Sequence, residues 1–277
     1  MTLLSLQFIG YLASGLLAGV LAGLFGIGGG ILIVPALLYL FHLDGINPVI
    51  SMQLAAGTSL ATIIFTSLSA TWNHHRHHSV HWLLVCRYIP GIVVGVWLGA
   101  FLASLLESND LVILFALFEI VVGLRMIFPS PRPQPEPTID EHLAAPAKLQ
   151  SFLHVSGIAT LIGTISTLFG IGGGTMLVPA LTLLSGLTIH QAIGTSSAIG
   201  AVLSLTGTTG MIQSGWENSG LPPDTVGFVV PLAAFGVILG TLITTPLGVK
   251  LAHHTEPQQL KKGFGILLLL VGIRLLW

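Results

Sequence analysis

The sequence predicts an all-α polytopic membrane protein made of two tandem repeats, and three observations lead there. Only 7% of its 277 residues are charged and 53% are hydrophobic, with a mean hydropathy of +0.93; soluble domains carry charge at about 25% of positions. Long apolar runs follow one another, such as Leu3 to Phe25, Leu83 to Leu106 and Leu111 to Phe128. Each is close to the roughly 20 residues a helix needs to cross hydrocarbon. Finally, a set of landmarks occurs twice in the same order. The runs are continuous where an outer-membrane barrel would alternate apolar and polar residues, which argues against a barrel.

The duplicated landmarks define the repeats. Phe25-Gly-Ile-Gly-Gly-Gly30 returns as Phe169-Gly-Ile-Gly-Gly-Gly174, with Pro35 and Pro179 following at the same distance. Gly57-Thr58-Ser59 returns as Gly194-Thr195-Ser196, Pro90 through Leu98-Gly99 as Pro231 through Leu239-Gly240, and Gly123-Leu-Arg125 as Gly272-Ile-Arg274. Residues 1–128 form the first repeat and 151–277 the second. Between them, residues 129–150 alternate prolines with polar residues, which denies them a helix and predicts a solvated, polyproline-like cytoplasmic linker.

Within the first repeat the apolar segments run near 3–25, 27–41, 49–72, 82–106 and 111–128. In the second they run near 151–169, 171–185, 190–213, 226–251 and 259–277. The second segment of each repeat is short and starts at the glycine cluster, so the number of full crossings lies between eight and ten. The N-terminal MTLLSLQFIG lacks a basic stretch and a small-residue cleavage site, so Met1 is expected to begin the mature chain. The single cysteine, Cys86, permits no internal disulfide.

Loop charge sets orientation, because Lys and Arg concentrate on the cytoplasmic side. Arg76 and Arg87 follow the third segment of the first repeat, whereas Glu107 and Asp110 follow the fourth. The second repeat reverses this: Glu217 and Asp224 follow its third segment, and Lys250, Lys261 and Lys262 its fourth. Opposite bias predicts inverted repeats with an odd number of spans each. Arg274, falling outside, fits this scheme less well. Four spans per repeat, with each glycine-broken pair forming one kinked span, would instead leave the repeats parallel.

The glycine clusters are the leading candidate site. Gly26, Gly28, Gly29 and Gly30, and their counterparts Gly170, Gly172, Gly173 and Gly174, interrupt apolar helices at about 1 kcal/mol per glycine relative to alanine. Backbone released from helix in hydrocarbon must be buried in protein or line a polar cavity. A helix resuming after such a break presents unpaired amides and a partial positive charge, a ready place for an anion. The alternative is close helix packing through small residues; duplication at matched positions favours the lining role. Thr58, Ser59, Thr195 and Ser196 offer hydroxyls near the starts of the third segments, with back-bonding to helix carbonyls as their alternative use. Gln53 and Gln191 could each donate an amide hydrogen to an oxyanion. Glu119, deep in LVILFALFEIVVGLRMIF, is a candidate proton-coupling acid or else a satisfied structural carboxyl. The run from Trp72 to Trp82 holds a histidine cluster at 74–81; lacking nearby thiolates or carboxylates, it reads as a mildly basic topology anchor, not a metal site. No nucleophile arrangement or phosphate loop with a Lys-Ser/Thr ending is present, so neither catalysis nor a cofactor is expected.

The glycine cluster followed by V-P-A-L, the G-T-S element, the P-G-x-x-x-G-x-x-L-G-A stretch and the terminal G-x-R together resemble the sulfite exporter TauE/SafE family, also called the toluene sulfonate uptake permease family. The resemblance spans nearly the whole chain. It implies transport, without ATP, of sulfur-containing anions such as sulfite, thiosulfate, sulfoacetate or sulfonates across the inner membrane. The implied partners are a small anion, the lipid bilayer and a coupling proton or sodium ion, with no nucleic acid. The rival readings are a membrane-embedded enzyme or assembly factor handling a sulfur compound, and an anion channel.

Overall fold

A computed structural model describes residues 3–25, 29–128, 152–216, 218, 220–254 and 257–277. The Pro-rich linker, Gly26, Gly28 and Glu217 lie outside these residues. Ten α-helices fill them: α1 (Leu3–Phe25), α2 (Gly30–Leu43), α3 (Pro48–Arg76), α4 (Trp82–Leu105), α5 (Ser108–Ile127), α6 (Phe152–Phe169), α7 (Gly174–Ser185), α8 (Ile189–Gly215), α9 (Pro231–His254) and α10 (Pro257–Leu276). Each coincides with one apolar segment of the sequence, and an isolated Val226–Val229 bridge is the one β element among the described residues. Two boundaries moved. Helix α3 carries on through the first histidines to Arg76, and residues 226–230 form turns leading into α9. Among the described residues, α3, α4 and Pro231–Gly248 of α9 are long and apolar enough to cross a membrane.

Local chemistry sets the helix ends. Asn47 Oδ1 accepts from Val49 N at 3.0 Å and Pro48 supplies the first turn of α3. Thr188 and Gln191 form a reciprocal capping box at the start of α8. Helices α2 and α7 both start on a left-handed glycine, Gly29 (φ 76°) and Gly173 (φ 77°). With 14 and 12 residues, they measure about 21 and 18 Å at 1.5 Å per residue, too short for a hydrocarbon core of about 30 Å.

Helices pair across the two halves of the chain: α1 with α9, α4 with α6, α3 with α8 and α5 with α10. Glycine notches bring the backbones together. Gly91, Gly95 and Gly99, spaced four apart on α4, rest on Ser156, Thr160 and Thr164 of α6. Gly15 and Gly19 of α1 rest on Val237 and Thr241 of α9. Van der Waals contact and hydroxyl bonds take the place that the hydrophobic effect holds in water. Thr164 Oγ1 donates to Gly95 O at 3.0 Å, and Thr244 Oγ1 donates to Leu16 O at 2.8 Å. The register of these contacts fixes direction. α1 runs parallel to α9, and α4 parallel to α6. In contrast, Gly123 meets Gly265 and Leu268 while Gly272 meets Ala116 and Glu119, so α5 and α10 are antiparallel. Leu60 meets Gly207 and Ser67 meets Gly200, so α3 and α8 are antiparallel as well.

Candidate functional site

The two glycine breaks meet. A Cβ on Gly30 would lie 2.7 Å from Gly170 O and 2.8 Å from Ile171 Cα, so the start of α2 is seated against the α6–α7 break. Ile63, midway along α3, touches both sides: its side chain would come within 2.7 Å of a Cβ on Gly30 or on Gly172. From α8, Gly200 approaches Gly172 O, again near the helix centre. The junction therefore sits halfway along the two longest helices.

Backbone at the second break needs glycine for two reasons. Gly170 (φ 67°), Gly172 (φ 65°) and Gly173 (φ 77°) occupy the left-handed region, which costs other residues about 1–2 kcal/mol. Gly170 is also pressed on the α3 backbone, where a Cβ would lie 2.6 Å from Ala56 Cα. The first break matches in local geometry: Gly29 faces Ala22 and Ile33, as Gly173 faces Ser166 and Leu177. Met176 N and Leu177 N donate to Gly173 O, and Leu32 N and Ile33 N to Gly29 O. Gly29 and Gly173 thus close the first turns of α2 and α7 at the junction.

Hydroxyls surround the second break. Ser59 Oγ donates to Gly170 O at 2.6 Å, tying the middle of α3 to it. Ser166 Oγ and Thr167 Oγ1 precede the break and Thr175 Oγ1 follows it; all three oxygens are buried without a hydrogen-bond partner among the described residues. Leaving a buried hydroxyl unpaired costs about 1–3 kcal/mol, and folded proteins hold few such groups. Repeat matching passed over these residues, because their counterparts Ala22, Gly23 and Ile31 carry no hydroxyl. Their position on either side of FGIGGG was the available signal.

Other candidates from the sequence are engaged elsewhere. Thr58 Oγ1 accepts from Val230 N at 3.0 Å and Thr195 Oγ1 accepts from His81 N at 3.0 Å. Each holds the segment leading into a helix of the other half, and Gly57 and Gly194 make room for that segment. Gln53 Nε2 donates to Ala103 O and Leu106 O at the end of α4, Gln191 caps α8, and Ser196 Oγ donates to Ile193 O within α8. Thr58→Val and Thr195→Val are each expected to cost about 1 kcal/mol by removing the acceptor of a part-buried amide. Melting of purified variants in detergent checks this, with anion half-saturation expected to stay at its wild-type value.

Glu119 is fully buried at mid-α5, away from this cluster. In the histidine run, His75 Nδ1 accepts from Trp82 Nε1 at 3.4 Å and the Arg76 guanidinium lies 5.1 Å from the Trp72 ring. Among the described residues no three His, Cys, Asp or Glu side chains come together as a metal set.

Known proteins align along nearly the whole chain. The sulfite exporter TauE/SafE family matches residues 11–275. A probable membrane transporter protein of Haemophilus influenzae is 33% identical over 94% of this chain and 95% of its own length. The probable membrane transporter protein YunE of Bacillus subtilis is 29% identical over 98% of both chains. A probable membrane transporter protein of Methanocaldococcus jannaschii is 27% identical over 95% of this chain and 92% of its own. No solved structure matches. With the family matched from α1 to α10, the chain is a membrane protein and belongs to the sulfite exporter TauE/SafE family of membrane transporters.

Proposed function

We propose that the protein is a secondary transporter of small sulfur-containing oxyanions or organosulfonates, of the sulfite, thiosulfate and sulfoacetate class. The observation that carries this reading is the meeting of the two glycine breaks midway along α3 and α8, with the buried, unpartnered hydroxyl of Ser166 against Gly173 and that of Thr175 in the first turn of α7. Broken-helix termini and hydroxyls in a low-dielectric interior suit an oxyanion, whose lone pairs accept from both. Gly29, Gly30, Ser59, Gly170, Gly172, Gly173 and Gly174 line the place. Thr58 and Thr195 steady the frame around it by holding the segments that lead into α9 and α4, and Ser196, Gln53 and Gln191 hold helix backbone farther off.

The architecture we read is a pair of inverted repeats of five helices, 1–128 and 151–277, spanning the cell inner membrane many times and joined by a cytoplasmic linker. The antiparallel α3–α8 and α5–α10 pairs support it, because matched elements of inverted repeats oppose one another. So does the reversed charge of the loops. The solute site would then face either side as the halves rock about it. A negative-inside potential favours anion exit by about 2.3 kcal/mol per charge per 100 mV.

Uptake of radiolabelled sulfite, thiosulfate and sulfoacetate into liposomes holding the purified protein tests this reading. Saturable flux, accelerated by unlabelled anion on the opposite side, is the expected result. Flux that never saturates and shows no counterflow would mean a channel. No flux of any of the three would remove the sulfur-anion class.

A further inference from the structure

Glu119 is a fully buried carboxyl at mid-helix in α5, and neither oxygen has a hydrogen-bond partner among the described residues. Among the described residues, the elements packed around α5 bring it no charge. From α10, Gly265, Leu268, Leu269 and Gly272 make the contact, with Gly272 against Glu119 itself. From α6, Phe169 packs on Phe115 and Phe118. From α3, Met52 N donates to Ser108 Oγ at the start of α5. Asp110 and Arg125 of α5, Lys262 and Arg274 of α10, and His154 of α6 are exposed, and the histidines and Arg76 of α3 lie in its last turn. A carboxylate left unpaired in apolar surroundings is costly, and intramembrane carboxyls of this kind mark proton or ion pathways.

The carboxyl also has a mechanical route to the solute site. Glu119 follows Phe118 directly and lies one turn after Phe115, whose rings rest 5.4 and 5.6 Å from that of Phe169. Phe169 is the last residue of α6, adjoining Gly170 at the break. On its other side Glu119 fills the notch at Gly272 of α10. A change in charge at this carboxyl therefore acts at once on the α5–α10 contact and on the residue that opens the break. The matched position of α10 is Leu268, buried and apolar, so one such group exists where two glycine breaks do.

We propose that Glu119 is the proton-carrying group of the transporter, binding one proton on a carboxylate oxygen before the anion crosses and releasing it on the far side, so that anion and proton travel together. This rests on the carrier reading above. Only an O–H bond forms and breaks, and the proton comes from and returns to water on the two sides of the membrane.

The test uses the full-length protein in liposomes, comparing wild type with Glu119→Gln and Glu119→Asp. Two assays are run, counterflow of labelled sulfite or thiosulfate without a gradient and accumulation driven by an acid exterior. Glu119→Gln is expected to keep counterflow near the wild-type rate and to lose gradient-driven accumulation and anion-induced proton uptake. Glu119→Asp keeps both at reduced rate. Gradient-driven accumulation by Glu119→Gln at the wild-type level would overturn the proposal. So would a wild type that shows saturable counterflow but no response to the gradient, which would leave the carrier reading intact. If wild type moves none of the anions, the carrier reading fails first. Infrared difference spectra then judge Glu119 alone: a carboxylic acid band absent from Glu119→Gln and invariant with pH and with added anion overturns a mobile proton.

Discussion

Gly170→Val is expected to abolish anion flux and to lower stability by about 3–5 kcal/mol, the sum of left-handed backbone strain and overpacking. The backbone at Gly170 has φ 67°, which a β-branched residue adopts only under strain. Its Cβ would also press on Ala56 Cα, part of the α3 backbone, which cannot swing aside as a side chain could. Relief would require the break to move off α3, parting Ser59 Oγ from Gly170 O. Thermal melting in detergent and counterflow in liposomes read the two effects separately. A Gly170→Val protein that transports at the wild-type rate would mean the break is not held where the fold places it.

The second large effect separates binding from folding. The double substitution Ser166→Ala with Thr175→Val removes two buried hydroxyls that have no partner among the described residues. Stability should be unchanged or rise by about 1 kcal/mol, because desolvated and unpaired groups disappear. On the proposed reading the anion loses two hydrogen bonds to its charge, each worth about 1.5–3 kcal/mol, so half-saturation should rise at least about a hundredfold. Unchanged half-saturation together with lost stability would assign these hydroxyls to the framework.

Apolar runs, duplicated landmarks and glycine clusters made the ten helices legible in the sequence, nearly to their ends. What they could not convey was which helix packs on which. Every segment here is apolar over most of its surface, so periodicity does not single out a packing face. The pairing of α4 with α6 is marked only by the four-residue spacing of Gly91, Gly95 and Gly99, a signal that names a notch but not its occupant. The candidate site was half legible. Gly29, Gly30, Gly170, Gly172 and Ser59 come together as duplication suggested. Thr58 and Thr195 hold backbone amides where one half crosses the other, whereas Gln53 and Gln191 satisfy backbone groups inside their own halves. Ser166, Thr167 and Thr175 escaped because the second half departs from the first there. The departure itself is informative, for a site in matched repeats can place its polar contacts on one side only.

Accessibility at Ser166 tests the central account most directly. Cys86 is the only cysteine in the chain, so Cys86→Ser with Ser166→Cys carries a single thiol beside the glycine junction. Membrane-impermeant thiol reagent is applied to inside-out and right-side-out vesicles, with and without sulfite or thiosulfate. Modification from both sides and protection by saturating anion from either are the expected results. Modification at an undiminished rate in saturating anion, or no modification from either side, would contradict a solute site at the meeting of the two breaks.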